Sequence, residues 1–253
     1  MDSGLERPTP GPVELGLRSL WDRHRRGWRR LCSPQLVTEL RLRAQFDLEL
    51  LSPWEIARKI PAGTIPDCER CTNSCCVGLE NLVSLRLVDV ASLIDLGRTD
   101  LIQAKKPHFP PEMVELRPHL ATLAESTLFR TLPVLRQVGA RRACAALGAD
   151  RRCTIHPRWP TSCERFPYSL SAARRTVEWG QRCEFQQQSP EQRARSDQLF
   201  LAALSAYNER IKDAVLLHHA LPELHRLGLG AFLTAPDADP FEPAPPLPII
   251  GGG

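Results

Sequence analysis

An α+β, mostly helical fold is predicted for this chain of 253 residues: a small cysteine-rich module with short hairpins, flanked by helices. Three observations carry that expectation. Apolar residues recur at helical spacing near both ends of the chain. The middle is cut by prolines and by turn signals into short elements. Eight of the nine cysteines fall in that middle, between Cys68 and Cys183.

Val13 to Arg30 has the first helical pattern, with Leu15, Leu17, Leu20, Trp21 and Trp28 among arginines. Ser33-Pro34 reads as cap and first position of a helix running towards Leu51. Ser52-Pro53-Trp54-Glu55 repeats the signal, with Glu55 placed for a capping box, and Pro61-Ala62-Gly63 ends that element. Leu82 to Leu85 suits a short strand, and a helix through Asp89 to Leu96 should stop at Gly97. Residues 107–138 hold five prolines and are expected to form short helices. Cys144 to Ile155 suits a hairpin around Gly148-Ala149-Asp150, and Tyr168 to Trp179 a second one turning at Ala172 to Arg175. Ser189-Pro190-Glu191 opens a long helix to about His219, whose apolar face runs from Phe200 through Ala203, Leu204, Tyr207, Ile211 and Ala214 to Val215 and on to His218.

The expected organisation is a disordered stretch over 1–12, a helical segment over 13–62, a cysteine module over 64–185, a helical segment over 189–235 and a disordered Pro/Gly tail over 236–253. Composition is that of an ordinary globular protein, with 42% hydrophobic and 25% charged residues and a net charge of +4. No stretch approaches the ~18 apolar residues of a membrane span. The start lacks a basic-then-apolar leader pattern, so a cytoplasmic location is expected. In a reducing compartment, clustered cysteines are ligands or free thiols rather than disulfides.

Cys68-x2-Cys71-x3-Cys75-Cys76 is followed by Cys144, Cys153, Cys163 and Cys183. Thiols at such spacing can converge on a soft metal ion or an iron–sulfur cluster, about 2.3 Å from a zinc ion. Burial alone has no reason to space them this way. The candidate ligands are these eight cysteines, and the candidate cofactors are Zn²⁺ or Fe, with a [4Fe–4S] cluster among the forms of iron. In extended backbone, neighbouring side chains point to opposite sides. Cys75 and Cys76 are therefore expected to serve different centres, or to leave one outside the ligand set, unless a sharp turn joins them. Seven arginines (Arg70, Arg141, Arg142, Arg151, Arg152, Arg165 and Arg182) lie within three residues of these cysteines and could balance thiolate charge. Cys32 is the odd one and reads as a free thiol. His156 is expected to pack or hydrogen-bond rather than ligate.

Several function classes are excluded. The order C-x2-C-x3-C is not the C-x3-C-x2-C order of radical enzymes that use S-adenosylmethionine. There is no phosphate loop, no dinucleotide fingerprint and no nucleophile elbow. The run Arg23-His24-Arg25-Arg26-Gly27-Trp28-Arg29-Arg30 reads as a solvated helix face rather than a nucleic-acid interface.

The cysteine pattern resembles the YkgJ-type cysteine-cluster family of zinc- or iron-chelating domains. Cys68-x2-Cys71-x3-Cys75-Cys76 resembles its opening motif. Cys144-Ala-Ala-Leu147, then Cys153-Thr-Ile155-His156-Pro157-Arg158-Trp159-Pro160-Thr-Ser-Cys163-Glu-Arg165-Phe166-Pro167, is similar to its second half, and Cys183 to its closing cysteine. The chain departs from that pattern at Trp159 and Glu164, where the family usually has arginine. The resemblance implies a metal-binding protein. Some members resemble the flagellin lysine methylase, which implies iron–sulfur-dependent methyl transfer as one alternative. A metal-stabilised interaction module, engaging a protein partner through the N-terminal helices, is another. Binding rather than catalysis is the expectation that the residues favour.

Overall fold

The computed structural model describes residues 9–26, 34, 49–67, 75–78, 83–105, 115, 132–171, 175–180, 183 and 185–233. These form a mixed α+β fold. In chain order the helices are α1 (Pro12–His24), α2 (Leu87–Asp95), α3 (Thr161–Glu164), α4 (Arg193–His219) and α5 (Leu221–Arg226). The strands are β1 (Ala57–Arg58), β2 (Thr64–Pro66), β3 (Ile102–Lys105), β4 (Leu132–Leu135), β5 (Gln137–Val138), β6 (Ala143–Cys144), β7 (Tyr168–Ser171), β8 (Thr176–Trp179) and β9 (Gln186–Gln188). Pro34 is helical as expected, while residues 35–48 of the helix expected from Ser33-Pro34 and the Ala172 to Arg174 part of the second hairpin turn lie outside the described residues.

The sheets are small. β1, β8 and β7 form a three-stranded sheet in that order, with β1 parallel and β7 antiparallel to β8. The other strands pair two by two and antiparallel: β2 with β9, β3 with β4, and β5 with β6. The predicted hairpin from Tyr168 to Trp179 is present, with Tyr168 opposite Trp179 and Ser171 opposite Thr176. So is the tight one, where Leu147 bridges Cys153 and the Gly148 N–H donates to the Arg152 carbonyl at 2.8 Å.

Three local expectations are corrected. Ser52-Pro53-Trp54-Glu55 makes only one 3₁₀ turn before the chain enters β1. Glu55 does accept the Ser52 N–H at 2.7 Å. The Ala57 and Lys59 N–H groups then go to the Arg175 and Val177 carbonyls, at 2.8 and 3.1 Å, so a sheet edge outcompetes the helix. Within 107–138, residues 132–135 and 137–138 are strand rather than helix, and residues 107–114 and 116–131 lie outside the described residues. Pro133 is tolerated in β4 because its carbonyl accepts the Leu85 N–H, at 2.9 Å, and no donor is asked of it. Helix α1 ends at His24, short of Arg30.

The 27-residue α4 separates two cores. One side presents Leu199, Ala203, Tyr207, Ile211 and Val215 to Tyr168 and Val177 of the three-stranded sheet, with Leu51, Ile56 and Ile60 beside them. Tyr168 is fully buried, and its hydroxyl meets the Thr64 carbonyl at 2.7 Å and Ser196 Oγ at 2.8 Å. The second core is built on α1 and α2, through Leu17, Leu20, Leu87, Val90 and Leu93. Leu216 at the end of α4, with Leu224 and Leu229 beyond it, completes that core. Burial thus turns towards the second core in the last turns of α4. His218 is exposed there instead of continuing the apolar face, which corrects the expectation for it.

Three carboxylates, one half-buried and two buried, lock the helices together. Asp95, at the end of α2, accepts the Val13 and Glu14 N–H groups at 3.0 and 2.9 Å and so caps α1. Gly11 permits this approach, since a Cβ there would collide with the Asp95 carboxylate. Asp89 is only 5% exposed. It accepts the Arg86 N–H at 2.8 Å, at the start of its own helix, and the Thr161 N–H and hydroxyl at 2.8 and 3.0 Å, at the start of α3. Asp213 of α4 is 9% exposed and accepts the Leu87 N–H at 3.2 Å.

Asp89 and Asp213 are open to test by unfolding. Asp89→Ala leaves two helix N-termini without their acceptor and should cost about 2–3 kcal/mol in urea unfolding. Burial pushes the Asp213 carboxyl up to about 8, against the pull of Arg86. Between the usual carboxylate range and that value the folded chain holds a proton that the unfolded chain has lost. Asp213 therefore contributes stability at low pH that is lost as pH rises towards about 8. Asp213→Asn removes this dependence, so its unfolding midpoint should rise relative to the parent's between pH 5 and pH 8. Parallel pH profiles for the two proteins would contradict that assignment.

Candidate metal centre

Short backbone pairings bring distant cysteines side by side. Residues 75–78 run beside β6, with Val77 bridging Ala143 and the Cys144 N–H donating to the Cys76 carbonyl at 2.7 Å. On its other side Cys144 lies opposite Gln137 of β5, whose Nε2 donates to the Gly78 carbonyl at 3.1 Å. The tight hairpin then folds Cys153 back beside Leu147, and the Thr154 N–H donates to the Ala146 carbonyl at 2.8 Å. The chain turns through Ile155 and Pro160 into α3, where the Cys163 N–H donates to the Pro160 carbonyl at 2.8 Å. Asp89 anchors the first residue of that helix, two positions before Cys163. Cys144, Cys153 and Cys163 all pack against the second core.

Cys75 and Cys76 sit in a turn and their thiols are hydrogen-bonded to each other, so the extended geometry behind the expectation of separate destinations is not the one adopted. The bond from Cys76 draws the Cys75 thiol down to about 6, with burial opposing it. The same bond holds Cys76 far above the usual thiol range, reinforced by burial and by the neighbouring Cys75, Cys144 and Cys163. Burial raises Cys144, with Cys153 and Cys75 adding to the effect. Cys163 is raised chiefly by burial, then by Cys144, Asp89, Cys153 and Cys75. Cys76, Cys144 and Cys163 are thus each raised by the charge of neighbouring thiols, and deprotonating them together is costly without a cation among them.

The remaining candidates divide. Cys183 is half-buried on the link between β8 and β9, where its thiol donates to the Phe185 carbonyl at 3.4 Å and its own carbonyl accepts Trp179 Nε1 at 2.7 Å. Cys68, Cys71 and Cys32 lie outside the described residues. Among the described residues no group of three or more His, Cys, Asp or Glu side chains is arranged to hold a metal ion. The donor chemistry, clustered soft thiols, fits zinc or iron.

Arg70 and Arg182 lie outside the described residues, and of the other five nearby arginines Arg165 has the clearest electrostatic role. Burial lowers its pKa, Arg86 adds to that, and Cys163 opposes both, which makes Arg165 a cation held within range of the thiols. Its Nη1 donates to the Tyr168 carbonyl at 2.8 Å. His156 is exposed and stands edge-on to Trp159 at 4.6 Å, a packing contact as expected. Asp89 was the functional residue with the weakest sequence signal. An acid three residues after Arg86 is half of a capping box, but nothing in the sequence points it at Thr161.

Residues 67–192, about half the chain, match the sequence profile of the CxxCxxCC family, described as "Putative zinc- or iron-chelating domain". This chain carries three residues rather than two between its second and third cysteines. No curated protein and no solved structure matches the chain. Through residues 67–192 the chain belongs to the CxxCxxCC family of zinc- or iron-chelating domains.

Proposed function

We propose that this protein binds a metal centre through ligands drawn from Cys68, Cys71, Cys75, Cys76, Cys144, Cys153, Cys163 and Cys183, and that the centre is part of what holds the cysteine module together. The observation that carries this is the backbone pairing that sets Cys76 beside Cys144 and folds Cys153 back beside Leu147, together with the rise of Cys76, Cys144 and Cys163 under the charge of neighbouring thiols. Thiols gathered at such a cost are stabilised by a bound cation. Cys68 and Cys71 belong to the same motif as Cys75 and Cys76 and supply donors that the described residues lack. Zinc and iron both suit an all-thiol set, and a [4Fe–4S] cluster is the iron form that four cysteines would hold.

Anaerobic purification with elemental analysis and an absorption spectrum identifies the metal. A brown protein absorbing near ~400 nm contains iron–sulfur, and a colourless one with stoichiometric zinc holds a structural site. Cys144→Ser or Cys163→Ser should remove most of the metal, whereas Cys32→Ser should keep the parent's full content. Metal lost from Cys32→Ser and retained by the other two would refute the ligand assignment.

Chelation should act unevenly. Cys144, Cys153 and Cys163 pack on the second core, while the Leu199–Val215 face of α4 packs on the three-stranded sheet. Hydrogen exchange after metal removal should therefore rise first over residues 143–163 and later in α4. Equal protection of 143–163 with and without metal would mean that the site is an addition to a fold already stable.

A further inference from the structure

Cys75 is exposed, whereas the other described cysteines are half-buried. Its neighbour Cys76 shares the same turn, and the two thiols are hydrogen-bonded to each other. We propose that these two residues form a peroxide-sensitive dithiol, which closes into a reversible Cys75–Cys76 disulfide and so withdraws both sulfurs from the metal centre. The dithiol stands on the geometry of the turn; the withdrawal of ligands rests on the metal reading above.

A cysteine that senses an oxidant needs access for that oxidant and a second thiol within reach to resolve the first product. Cys75 and Cys76 supply the two together. The remaining described thiols are less accessible. Cys144, Cys153 and Cys163 pack against the second core. Cys183 donates its thiol to the Phe185 carbonyl at 3.4 Å. The backbone holds the reactive pair in place, since the Cys76 carbonyl accepts the Cys144 N–H at 2.7 Å and Val77 bridges Ala143. That pairing uses main-chain atoms, which a bond between side chains does not consume. It also makes Cys144 the competing partner for Cys76.

The reaction takes hydrogen peroxide as its oxidant. The Cys75 thiolate attacks one peroxide oxygen and breaks the O–O bond, giving a sulfenic acid and hydroxide. Cys76 gives up its proton and attacks that sulfur, forming the S–S bond and displacing the second hydroxide. The two thiols lose two electrons and two protons, and the peroxide leaves as two waters. A sulfur in a disulfide is no thiolate, so closure takes two candidate donors from the metal. Across a trans peptide, neighbouring Cα atoms stand ~3.8 Å apart, under the ~4.4 Å at which ordinary disulfides begin. A bond so placed is strained and readily reduced, which suits a reversible response rather than a permanent brace.

The test treats the full chain with stoichiometric hydrogen peroxide. Free thiols are then blocked with N-ethylmaleimide, and disulfides are reduced and labelled with iodoacetamide. The tryptic peptide 71–86 should carry iodoacetamide at Cys75 and Cys76 and N-ethylmaleimide at Cys71. Labelling at Cys144, Cys153, Cys163 and Cys183 should be about tenfold lower than at the pair. Dithiothreitol added before blocking should restore both thiols. The proposal is overturned if iodoacetamide first appears at Cys71 or Cys144 together with one of the pair, if the pair passes to sulfinic acid without a disulfide, or if dithiothreitol fails to restore it. Elemental analysis before and after peroxide separates this reading from the metal reading. A chain that forms the disulfide and never held metal upholds the dithiol and refutes the centre. A chain that holds metal and forms no such disulfide refutes the dithiol and leaves the centre standing. Metal retained in full after closure refutes the withdrawal.

Discussion

The carboxylate of Asp89 joins two helix starts that are 72 positions apart in sequence. One is its own, at Arg86; the other is α3, at Thr161. Helix N-termini present donors with no partner inside the helix and favour negative charge, so one buried carboxylate serves both. The burial is unfavourable to the charged form and lifts the Asp89 carboxyl to about 6, while the Arg86 and Thr161 hydrogen bonds pull the other way. The position of Cys163 depends on where α3 is held. A loop of short elements becomes a defined surface because its last turn is pinned to α2.

Helix α4 supplies the second constraint. It is too long to have one partner, and its buried residues face two cores in succession. The sheet of β1, β8 and β7 needs α4 to cover Tyr168 and Val177. The α1–α2 pair needs its last turns, with Leu216, and the α5 region that follows. Asp213 lies where the two meet and accepts the Leu87 N–H. Cys144, Cys153 and Cys163 pack on the second of these cores, whereas the sheet of β1, β8 and β7 belongs to the first.

Legibility in the sequence tracked how local the cause was. The hairpins at 147–153 and 168–179 and the long helix from Arg193 were legible because turn residues and apolar spacing are written within each segment. The strands at 57–58 and 132–138 were not. Two to four residues carry no period of their own, and they are strands only because Val177, Val83 and Ala104 offer backbone partners from elsewhere. His218 was misplaced for a related reason. A face extrapolated along 27 residues assumes one partner, and α4 changes partners before its end.

The cysteine spacing alone determined the donor chemistry: soft thiols, many of them, in a pattern that burial would not produce. It also determined the family to which residues 67–192 belong. Tertiary structure decided which thiols feel one another. Cys144 reaches Cys76 through a backbone hydrogen bond across 68 positions, and Cys75 faces Cys76 only because the pair occupies a turn. It also placed Cys163 against the second core, beside a helix start that Asp89 holds. A ligand's identity is a property of its side chain and survives in the sequence. Its neighbours are set by pairings between segments that sequence distance does not record.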